Sequence, residues 1–369
     1  MTADDRRHMA HALALGRRGL GRVWPNPAVG CVIVLDGRIV GRGRTADGGR
    51  PHAETQALAM AGAAARGATA YVTLEPCAHH GQTPPCAEAL IASGIARVVI
   101  GTGDPDPKVN GRGIAMLRQA GIEVSEGVLE PEARRVNAGF LSRVTRGRPY
   151  LTLKLAVSLD GRIATASGES RWITGAQARR AVHALRASHD AVMVGAGTAR
   201  ADDPELTVRD MGADRQPVRV IVSRNLGLPW PNRLAATISQ APVWLVHGAT
   251  ATGSVEARRW SDAGARLMTA EVTGGHLDPA DVLETLANQG LTRVFCEGGG
   301  AFGASLLAAG CVDELVVFTA GLAIGAEGQP GLGVMGLSSL ADAERFHLAE
   351  ARTIGPDVMT RWLSRSSSF

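Results

Sequence analysis

The chain is poor in cysteine, in aromatic residues and in long apolar runs. Five cysteines occur in 369 residues, and a small, odd number does not suit a disulfide framework. No apolar stretch is long enough to cross a bilayer, and no signal-like segment follows Met1. We therefore expect a cytoplasmic protein without disulfides and without a membrane partner.

Charge and aromatic content are also low for a nucleic-acid surface. The formal net charge is +4 and aromatic residues make up 4% of the chain, so neither a strong basic patch nor a base-stacking platform is indicated. A phosphorylated small molecule accounts equally well for the mild basic excess. We expect a small-molecule substrate and no nucleic-acid partner.

One histidine and two cysteines form the most informative pattern. His52-Ala53-Glu54 is followed by Glu75-Pro76-Cys77 and then by Cys86. An imidazole and two thiolates fill three corners of a zinc tetrahedron and leave the fourth for water, whose pKa zinc lowers to roughly 7. Glu54, two residues after the histidine, is placed to carry protons. The pattern predicts a zinc hydrolase that removes an amino group from a nucleobase-like ring.

Prolines and glycines delimit the elements around this pattern. The alanine-rich run 52–66 follows a proline and precedes a glycine, which predicts a helix with the histidine and the glutamate in its first turn. The run 71–74 predicts a strand that delivers the first cysteine. A proline pair starts a predicted helix over 86–93, and a thiol at a helix N-terminus is biased toward the thiolate.

Strand-like and helical runs alternate along both halves of the chain. This alternation predicts a sheet covered by helices on both faces in the first half. The polar stretch 146–149 contains glycine and proline, so we place a boundary there, between domains 1–145 and 150–369. The tail 365–368 is expected to fray. The predicted strands are 29–35, 97–100, 122–124, 150–157, 191–194, 218–222, 243–246, 293–296 and 314–318, and further helices are predicted over 113–120 and 131–141.

The loop between the two cysteines resembles the deaminase domain of the RibD family of bifunctional riboflavin biosynthesis enzymes. It reads Pro76-Cys77-Ala78-His79-His80-Gly81-Gln82-Thr83-Pro84-Pro85-Cys86. Further matches are Asn26-Pro27-x-Val29-Gly30, Pro51-His52-Ala53-Glu54 and Asp104-Pro105-x-Pro107-x-Val109-x-Gly111-x-Gly113. The resemblance implies a cytidine-deaminase-like three-layer domain. Its implied zinc ligands are His52, Cys77 and Cys86, its proton carrier is Glu54, and its implied substrate contact is Asn26.

Two positions depart from the family pattern. Gln82 stands where relatives usually carry Lys or Arg, and Thr45 stands where a histidine is common. We expect both at the rim of the pocket, where they affect substrate affinity and leave the zinc chemistry intact.

The chain also contains histidines that could complete a structural zinc site, and three further cysteines. A structural zinc site would close with a fourth protein ligand, and His79 or His80 could supply it, although both read better as loop residues. The remaining cysteines, Cys31, Cys296 and Cys311, lie in apolar surroundings and are expected to be small buried residues without a chemical role.

Residues 150 to about 363 resemble the reductase domain of the same family. The matching motifs are Lys154-Leu155-Ala156-x-Ser158-Leu159-Asp160-Gly161-Arg162, Ser167-Gly168-x-Ser170-x-Trp172-Ile173-Thr174, Ala201-Asp202-Asp203-Pro204-x-Leu206-Thr207-x-Arg209 and Glu297-Gly298-Gly299. The resemblance implies a dihydrofolate-reductase-like α/β domain that uses NADPH. The residues that it places at NADPH are Ala156, Trp172, Thr198, Asp202 and Gly299. Those that it places at the substrate are Lys154, Ser170, Arg186, Leu206, Arg209 and Glu297.

Elementary chemistry supports some of these roles and leaves alternatives for others. Arginine binds phosphate with its planar fork, which suits Arg186 and Arg209 for a ribose phosphate, although each could also be a surface charge. Trp172 suits a nicotinamide or a ribose, and it suits a core equally well. The glycine turns 195–198 and 297–303 could approach a phosphate or could be ordinary tight turns. An arginine after strand 218–222 could meet the 2′-phosphate of NADPH.

The resemblance therefore implies a bifunctional enzyme of riboflavin biosynthesis. Zinc-dependent deamination of 2,5-diamino-6-(5-phosphoribosylamino)pyrimidin-4-one would precede NADPH-dependent reduction of the ribosyl group to ribityl. Two alternatives stay open: a base deaminase acting on nucleic acid, and an enzyme whose reductase half serves only as a structural or substrate-delivery module. A homo-oligomer is expected.

Overall fold

The computed structural model describes residues 2–80 and 84–365. The chain divides into two compact units, of which the first ends at Gly147 and the second begins at Arg148. The predictions for Gln82 and for tail residues 366–368 lie outside the described residues. Within the described ranges, no helix combines the length and the apolar character needed to cross a membrane.

The first unit contains a five-stranded sheet among the described residues, with strand order β2-β1-β3-β4-β5. Strand β1 pairs antiparallel with β2 and β3, whereas β3, β4 and β5 run parallel. The strands are β1 (Gly30–Leu35), β2 (Arg38–Arg44), β3 (Thr69–Val72), β4 (Arg97–Ile100) and β5 (Glu123–Ser125). The helices are α1 (Ala3–Arg17), α2 (Ala53–Ala61), α3 (Cys86–Ala92), α4 (Arg112–Gln119) and α5 (Glu130–Arg146).

Apolar side chains cover both faces of this sheet. Val32 and Tyr71 pack in a buried cluster with residues of α1 and α5. Their neighbours Ile33 and Val72 point to the opposite face, into a cluster with residues of α2, α3 and α4. Since successive strand residues face opposite sides, this alternation produces a sheet between two helical layers. The predicted three-layer architecture is confirmed.

Two glycines of β2 allow α2 to lie directly against the sheet. A Cβ atom at Gly41 would lie 2.2 Å from the carbonyl oxygen of Ala57, and one at Gly43 would lie 2.3 Å from that of Ala53. Real Cβ atoms do not approach backbone oxygens this closely, so only glycine fits at either position. These glycines therefore fix the height of α2, and of its first turn, above the sheet.

We expect Gly43→Ala to lower the free energy of unfolding by about 1–3 kcal/mol, the usual cost of overpacking. The added methyl group meets the α2 backbone, which has no flexible end to move aside. Chemical denaturation followed by circular dichroism measures the change. Gly103→Ala is the matched control, because a Cβ there would meet only the Glu75 carboxylate, at 4.0 Å. Equal losses in both variants would contradict the steric explanation.

The second unit is built on a larger, mostly parallel sheet with strand order β11-β10-β9-β8-β14-β6-β15-β18-β17. The strands from β11 to β15 in that order are parallel, and β18 and β17 close the sheet as an antiparallel hairpin. The strands are β6 (Tyr150–Val157), β7 (Arg162–Ala164), β8 (Ala191–Gly195), β9 (Val218–Val222), β10 (Val243–His247), β11 (Arg266–Thr269), β12 (Val272–Thr273), β13 (His276–Leu277), β14 (Arg293–Cys296), β15 (Glu314–Thr319), β16 (Gln329–Pro330), β17 (Phe346–Ile354) and β18 (Asp357–Ser364). The helices are α6 (Ala176–Ala187), α7 (Ala196–Asp202), α8 (Arg233–Ala236), α9 (Val255–Asp262), α10 (Pro279–Asn288) and α11 (Gly300–Ala308).

The parallel part of this sheet collects loops at one edge. Strands β9 and β14 lead into loops at their carboxyl ends, and β8 leads directly into α7. In parallel sheets, ligands bind in the crevice at this edge. The predicted strands 150–157, 218–222 and 293–296 coincide with β6, β9 and β14. The hairpin of β17 and β18 was not predicted.

A buried neutral histidine makes the second unit sensitive to acid. His189 Nδ1 lies 2.7 Å from the carbonyl oxygen of Leu185, and Nε2 lies 3.0 Å from the Thr152 hydroxyl. Burial, followed by the charge of Arg293, lowers the pKa of His189 from 6.5 to about 3. Between these two values the unfolded chain binds more protons than the folded chain, so the free energy of unfolding falls as the pH falls.

We expect the urea midpoint to drop between pH 7 and pH 5 in the wild type and to drop less steeply in His189→Gln, which cannot titrate. The comparison uses the slope of the midpoint against pH, since the substitution itself changes the starting stability. His347→Gln on the exposed strand β17 is the control. A slope unchanged by His189→Gln would contradict this assignment.

Candidate active sites

Three side chains of the first unit come together as a metal site. His52 Nδ1 lies 3.3 Å from Cys86 Sγ and 3.7 Å from Cys77 Sγ. The three ligand atoms all lie within 4.8 Å of one another. Zinc–sulfur and zinc–nitrogen bond lengths with tetrahedral angles would place nitrogen and sulfur roughly 3.6 Å apart. The described residues therefore fit a zinc ion with three protein ligands.

Each ligand is positioned by the end of an element. His52 is the N-cap residue of α2, and Cys86 is the first residue of α3. Cys77 lies five residues after Val72, the last residue of β3. The backbone N–H of Cys86 donates to Cys77 Sγ at 3.3 Å, which orients the sulfur and stabilises its thiolate.

The charges of the cluster suit a metal and a proton carrier. The hydrogen bond with Cys86 lowers the pKa of the Cys77 thiol and raises that of Cys86, so this contact favours a thiolate at Cys77. Glu54 is buried, 3% exposed, in the first turn of α2. Burial, and then the charge of Cys77, raises the pKa of Glu54 to about 7. A carboxyl group with that pKa can both take up and release a proton near neutral pH.

His79 and His80 do not join this cluster. The histidine and the two cysteines form it without a fourth His, Cys, Asp or Glu ligand among residues 2–80 and 84–365. Both histidines are exposed, and His80 Nε2 lies 3.4 Å from the Glu88 carboxylate. The geometry therefore favours an open catalytic site over a closed structural one.

Segment 104–114 is held in place by one buried carboxylate. Glu75 accepts backbone N–H groups from Gly111 at 3.0 Å and Gly113 at 3.0 Å, and weaker ones from Asp104 and Ile114. A Cβ at Gly113 would lie 2.0 Å from the carbonyl oxygen of Pro76. Glu75 thus fixes this segment beside the cluster, a role that the sequence did not reveal.

Asn26 lies close to the segment that leads into the cluster. Its side chain packs on Gly49, where a Cβ would lie 1.8 Å from Asn26 Nδ2. The expectation that Thr45 lies at the pocket rim is wrong, since its side chain is 2% exposed. The Thr45 hydroxyl donates to the carbonyl of Pro27 and accepts the N–H of Val29, so it ties the Asn26 segment to the end of β2.

The three other cysteines are buried and free, as expected. Burial raises the pKa of the Cys31, Cys296 and Cys311 thiols. A protonated thiol in an apolar environment is a small hydrophobic group and a poor nucleophile.

A cleft of about 1890 Å³ opens at the carboxyl ends of β8, β9 and β14 in the second unit. Ligand pockets for single small molecules typically measure 300–1,000 Å³, so this cleft has room for a dinucleotide together with a substrate. It brings together all the residues predicted for the reductase. Those that line it are Lys154, Ala156, Ser170, Trp172, Arg186, Thr198, Asp202, Leu206, Arg209, Glu297 and Gly299.

A buried ion pair lies in this cleft. Arg186 Nε donates to Glu297 Oε1 at 2.5 Å, a second guanidinium nitrogen donates to Oε2 at 3.1 Å, and the third donates to the carbonyl of Thr207 at 2.7 Å. Both side chains are 11% exposed. Arg186 is not a surface charge, because three of its five N–H donors already have protein acceptors. Two N–H donors remain, so its contact with the substrate phosphate stays a prediction.

Two other charged groups of the cleft lack such partners. No hydrogen bond joins the Lys154 ammonium to any described residue, and burial lowers the pKa of Lys154 while nearby Glu297 opposes that shift. Asp202 is exposed at the end of α7, and partial burial raises its pKa. Both groups are thus available to a bound ligand.

Glycines and small side chains leave one wall of the cleft open to a flat or anionic ligand. The backbone N–H of Gly299 donates to the Thr198 hydroxyl at 2.8 Å, which joins the two glycine turns. A Cβ at Gly300 would lie 2.7 Å from the carbonyl oxygen of Pro330. The buried Ser223 hydroxyl lines the cleft without a hydrogen-bond partner among the described residues. An unpaired polar atom and a glycine cradle fit a dinucleotide phosphate.

Trp172 is 69% exposed, so it does not belong to a core. The guanidinium of Arg179 lies 4.4 Å from the centre of its ring. Arg179 and His183 also line the cleft and were not predicted as site residues. Arg179, His183 and Arg186 follow one another along α6 at intervals of four and three residues, which was the available signal.

The first unit has the fold and ligand set of a zinc deaminase, and the second has the fold and cleft of a nucleotide-dependent reductase. Residues 2–102 match the cytidine and deoxycytidylate deaminase zinc-binding region, and residues 149–360 match the RibD C-terminal domain. The chain is 46% identical to the Escherichia coli riboflavin biosynthesis protein RibD, covering 96% of this chain and 98% of that protein. It is 44% identical to RibD of Bacillus amyloliquefaciens, covering 95% and 94%.

Solved structures agree with these matches. RibD of Acinetobacter baumannii superposes with a TM-score of 0.87 at 38% identity, covering 98% of this chain and 99% of that one. A Thermotoga maritima deaminase/reductase superposes with a TM-score of 0.86 at 36% identity and the same coverage. The chain belongs to the RibD family. It is a bifunctional enzyme of riboflavin biosynthesis, a zinc-dependent deaminase joined to an NADPH-dependent reductase.

Proposed function

We propose that this chain deaminates 2,5-diamino-6-(5-phosphoribosylamino)pyrimidin-4-one at the first unit and reduces the resulting uracil ribotide at the second. The Thermotoga maritima relative is described as a diaminohydroxyphosphoribosylaminopyrimidine deaminase and 5-amino-6-(5-phosphoribosylamino)uracil reductase. The observation that carries the proposal is the coexistence of a three-ligand metal cluster beside a buried carboxylate with a large, cation-bearing cleft.

In the deaminase site, His52, Cys77 and Cys86 would hold zinc, which when bound lowers the pKa of a water molecule. The Glu54 carboxylate, buried in the first turn of α2, would take a proton from the attacking water and pass it to the departing amino group. Helix α2 and the segment tied down by Glu75 flank this carboxylate, and together they would hold the ring against it. Asn26, beside Gly49, binds a polar group of the substrate.

In the reductase site, NADPH supplies the hydride and the protein supplies orientation and charge. Ala156, Trp172, Thr198, Asp202 and Gly299 would bind the cofactor, and Ser170 and Leu206 would contact the substrate. Ser223 and Arg224 follow β9 within the cleft and suit the 2′-phosphate that distinguishes NADPH from NADH.

Lys154 is placed to stabilise the sugar oxygens that gain charge as the ribosyl group is reduced. It is a half-buried cation without a hydrogen bond to a described residue, and Glu297 is its nearby counter-charge. Arg186 holds that glutamate through two hydrogen bonds and so orients it toward the substrate. Hydrogen bonds to a preorganised charge are worth more in a closed cleft than in water.

Arg209 is the residue that we assign to binding of the substrate phosphate. Its side chain is 48% exposed in the cleft, and one of its nitrogens donates to Glu205 at 3.1 Å. The hydrogen bonds of its guanidinium to Glu205 and Thr207 involve a single nitrogen, Nη1, so the other two are available to a phosphate. A small phosphorylated pyrimidine, and not a polynucleotide, suits this arrangement, and self-association of the chain stays a prediction.

A coupled assay tests the proposal. The zinc-loaded protein receives the diaminopyrimidinone ribotide with NADPH, and ammonia release and NADPH oxidation are followed together. Ammonia followed by an equal loss of NADPH is the expected result. Ammonia without NADPH oxidation would support the alternative of an inert second unit, and the absence of both signals would contradict the proposed substrate.

A further inference from the structure

Helix α6 presents one polar face to the reductase cleft. Arg179, His183 and Arg186 are spaced by four and three residues, and all three line the cleft. Residues at these intervals lie on the same side of a helix. The Arg179 guanidinium lies over the ring of Trp172, and Arg186 donates a hydrogen bond to Glu297. His183 lies between them in sequence.

His183 is joined to the loop that carries Arg209. The backbone N–H of Arg209 donates to His183 Nδ1 at 3.2 Å, 26 residues away in sequence. Two residues earlier, the carbonyl of Thr207 accepts from Arg186. The loop is therefore attached to α6 at two points, through the carbonyl of Thr207 and through the amide of Arg209.

This contact requires a neutral imidazole. Because Nδ1 accepts a hydrogen bond, the ring proton resides on Nε2. Burial, and then the charges of Arg186 and Arg209, lower the pKa of His183 and keep the ring neutral. A protonated ring would lose the acceptor and would place a further cation beside two guanidinium groups.

We propose that His183 is a positioning residue that fixes the backbone of Arg209 and thereby sets the affinity of the reductase cleft for the phosphate of its substrate. The Arg209 side chain is nearly half exposed, with one guanidinium nitrogen held by Glu205 and by the Thr207 hydroxyl at 3.3 Å. The position of the Arg209 backbone therefore determines where its guanidinium group can contact a ligand. This inference rests on the proposed function, since it takes the phosphoribosyl uracil as the ligand.

Binding of two ligands by calorimetry tests the inference. The probes are 5-amino-6-(5-phosphoribosylamino)uracil and the same compound without its phosphate, added to the full-length protein. We expect His183→Leu to weaken binding of the phosphorylated compound roughly three- to tenfold, the worth of one hydrogen bond. The dissociation constants of the unphosphorylated compound and of NADPH should change by less than about twofold.

Two further variants separate positioning from a general structural role. His183→Asn keeps an acceptor near the position of Nδ1 and should restore most of the lost affinity. His347→Leu on exposed β17 is the control for loss of a histidine and should leave both affinities unchanged.

A double-mutant cycle with Arg209→Ala decides whether His183 acts through Arg209. If it does, His183→Leu has no further effect on phosphate affinity in the Arg209→Ala background. Additive losses, equal losses for both compounds, or unchanged binding in His183→Leu would each overturn the inference. Failure of the wild type to bind the phosphorylated compound would instead overturn the proposed function.

Discussion

Replacing Glu54 by Gln should slow ammonia release by about 10²–10⁴-fold, the usual contribution of a positioned proton carrier. The amide has nearly the same shape and can still accept a hydrogen bond, but it cannot take up and release a proton. Glu54 is not one of the three clustered ligands, so the zinc content should stay near one ion per chain. Ammonia release and metal analysis on the same sample measure both effects.

Glu88→Gln is the matched control for this variant. Glu88 lies in the first turn of α3, but its side chain is 41% exposed and its partner is His80. We expect its deaminase rate to stay close to that of the wild type, because surface ion pairs contribute little. Loss of zinc from Glu54→Gln, or a rate equal to that of the wild type, would contradict the role assigned to Glu54.

Replacing Glu297 by Gln should have the largest effect in the second unit. Arg186 is 11% exposed, so it would remain as a buried cation without a counter-charge. Breaking a buried pair by removing one partner costs about 3–5 kcal/mol of folding free energy. Lys154 loses its nearby carboxylate as well, so we expect NADPH oxidation to fall by about 10²-fold or more, the scale of lost electrostatic stabilisation.

The measurements for this variant are thermal unfolding and NADPH oxidation with the uracil ribotide. Glu350→Gln removes a carboxylate that is 37% exposed and pairs with Arg352 and Arg361 at the surface. This control should lose less than about 1 kcal/mol. If both variants lose similar amounts of unfolding free energy and of NADPH oxidation rate, the Arg186–Glu297 pair contributes no more than a surface ion pair.

Much of the first site could be predicted from the sequence because zinc ligands lie in short local motifs. His52, Cys77 and Cys86 each sit beside a proline or at a helix start, and local chain chemistry determines such positions. The role of Glu75 could not be predicted in this way. Its hydrogen bonds reach Gly111 and Gly113, 36 and 38 residues away, and depend on how the chain folds back.

The second site shows the same limit more clearly. Resemblance selected residues that the cleft does bring together, but it did not reveal that Arg186 pairs with Glu297. Pairing with Glu297 joins residues 111 positions apart, and no local pattern records it. Thr45 was misplaced for a related reason, because a buried threonine that bonds to backbone groups looks like an exposed one in sequence.

Some elements of the fold were missed because their sequences are atypical. Strand β2 contains three arginines and two glycines, residues that do not favour strands. Helix α1 has a polar sequence, although the capping box formed by Thr2 and Asp5 was a usable signal. The predicted helix 52–66 ends at Ala61 and continues as a short 3-10 turn, Gly62–Ala65, because Gly62 adopts a positive φ of 54°.

The most direct test of two successive reactions in one chain is NADPH oxidation by zinc-loaded Glu54→Gln protein with each of the two substrates. We predict oxidation at the wild-type rate with the uracil ribotide and almost none with the diaminopyrimidinone ribotide. The reason is that the second unit reduces only the deaminated product of the first unit. Equal oxidation with both substrates, or none with the uracil ribotide, would contradict the account.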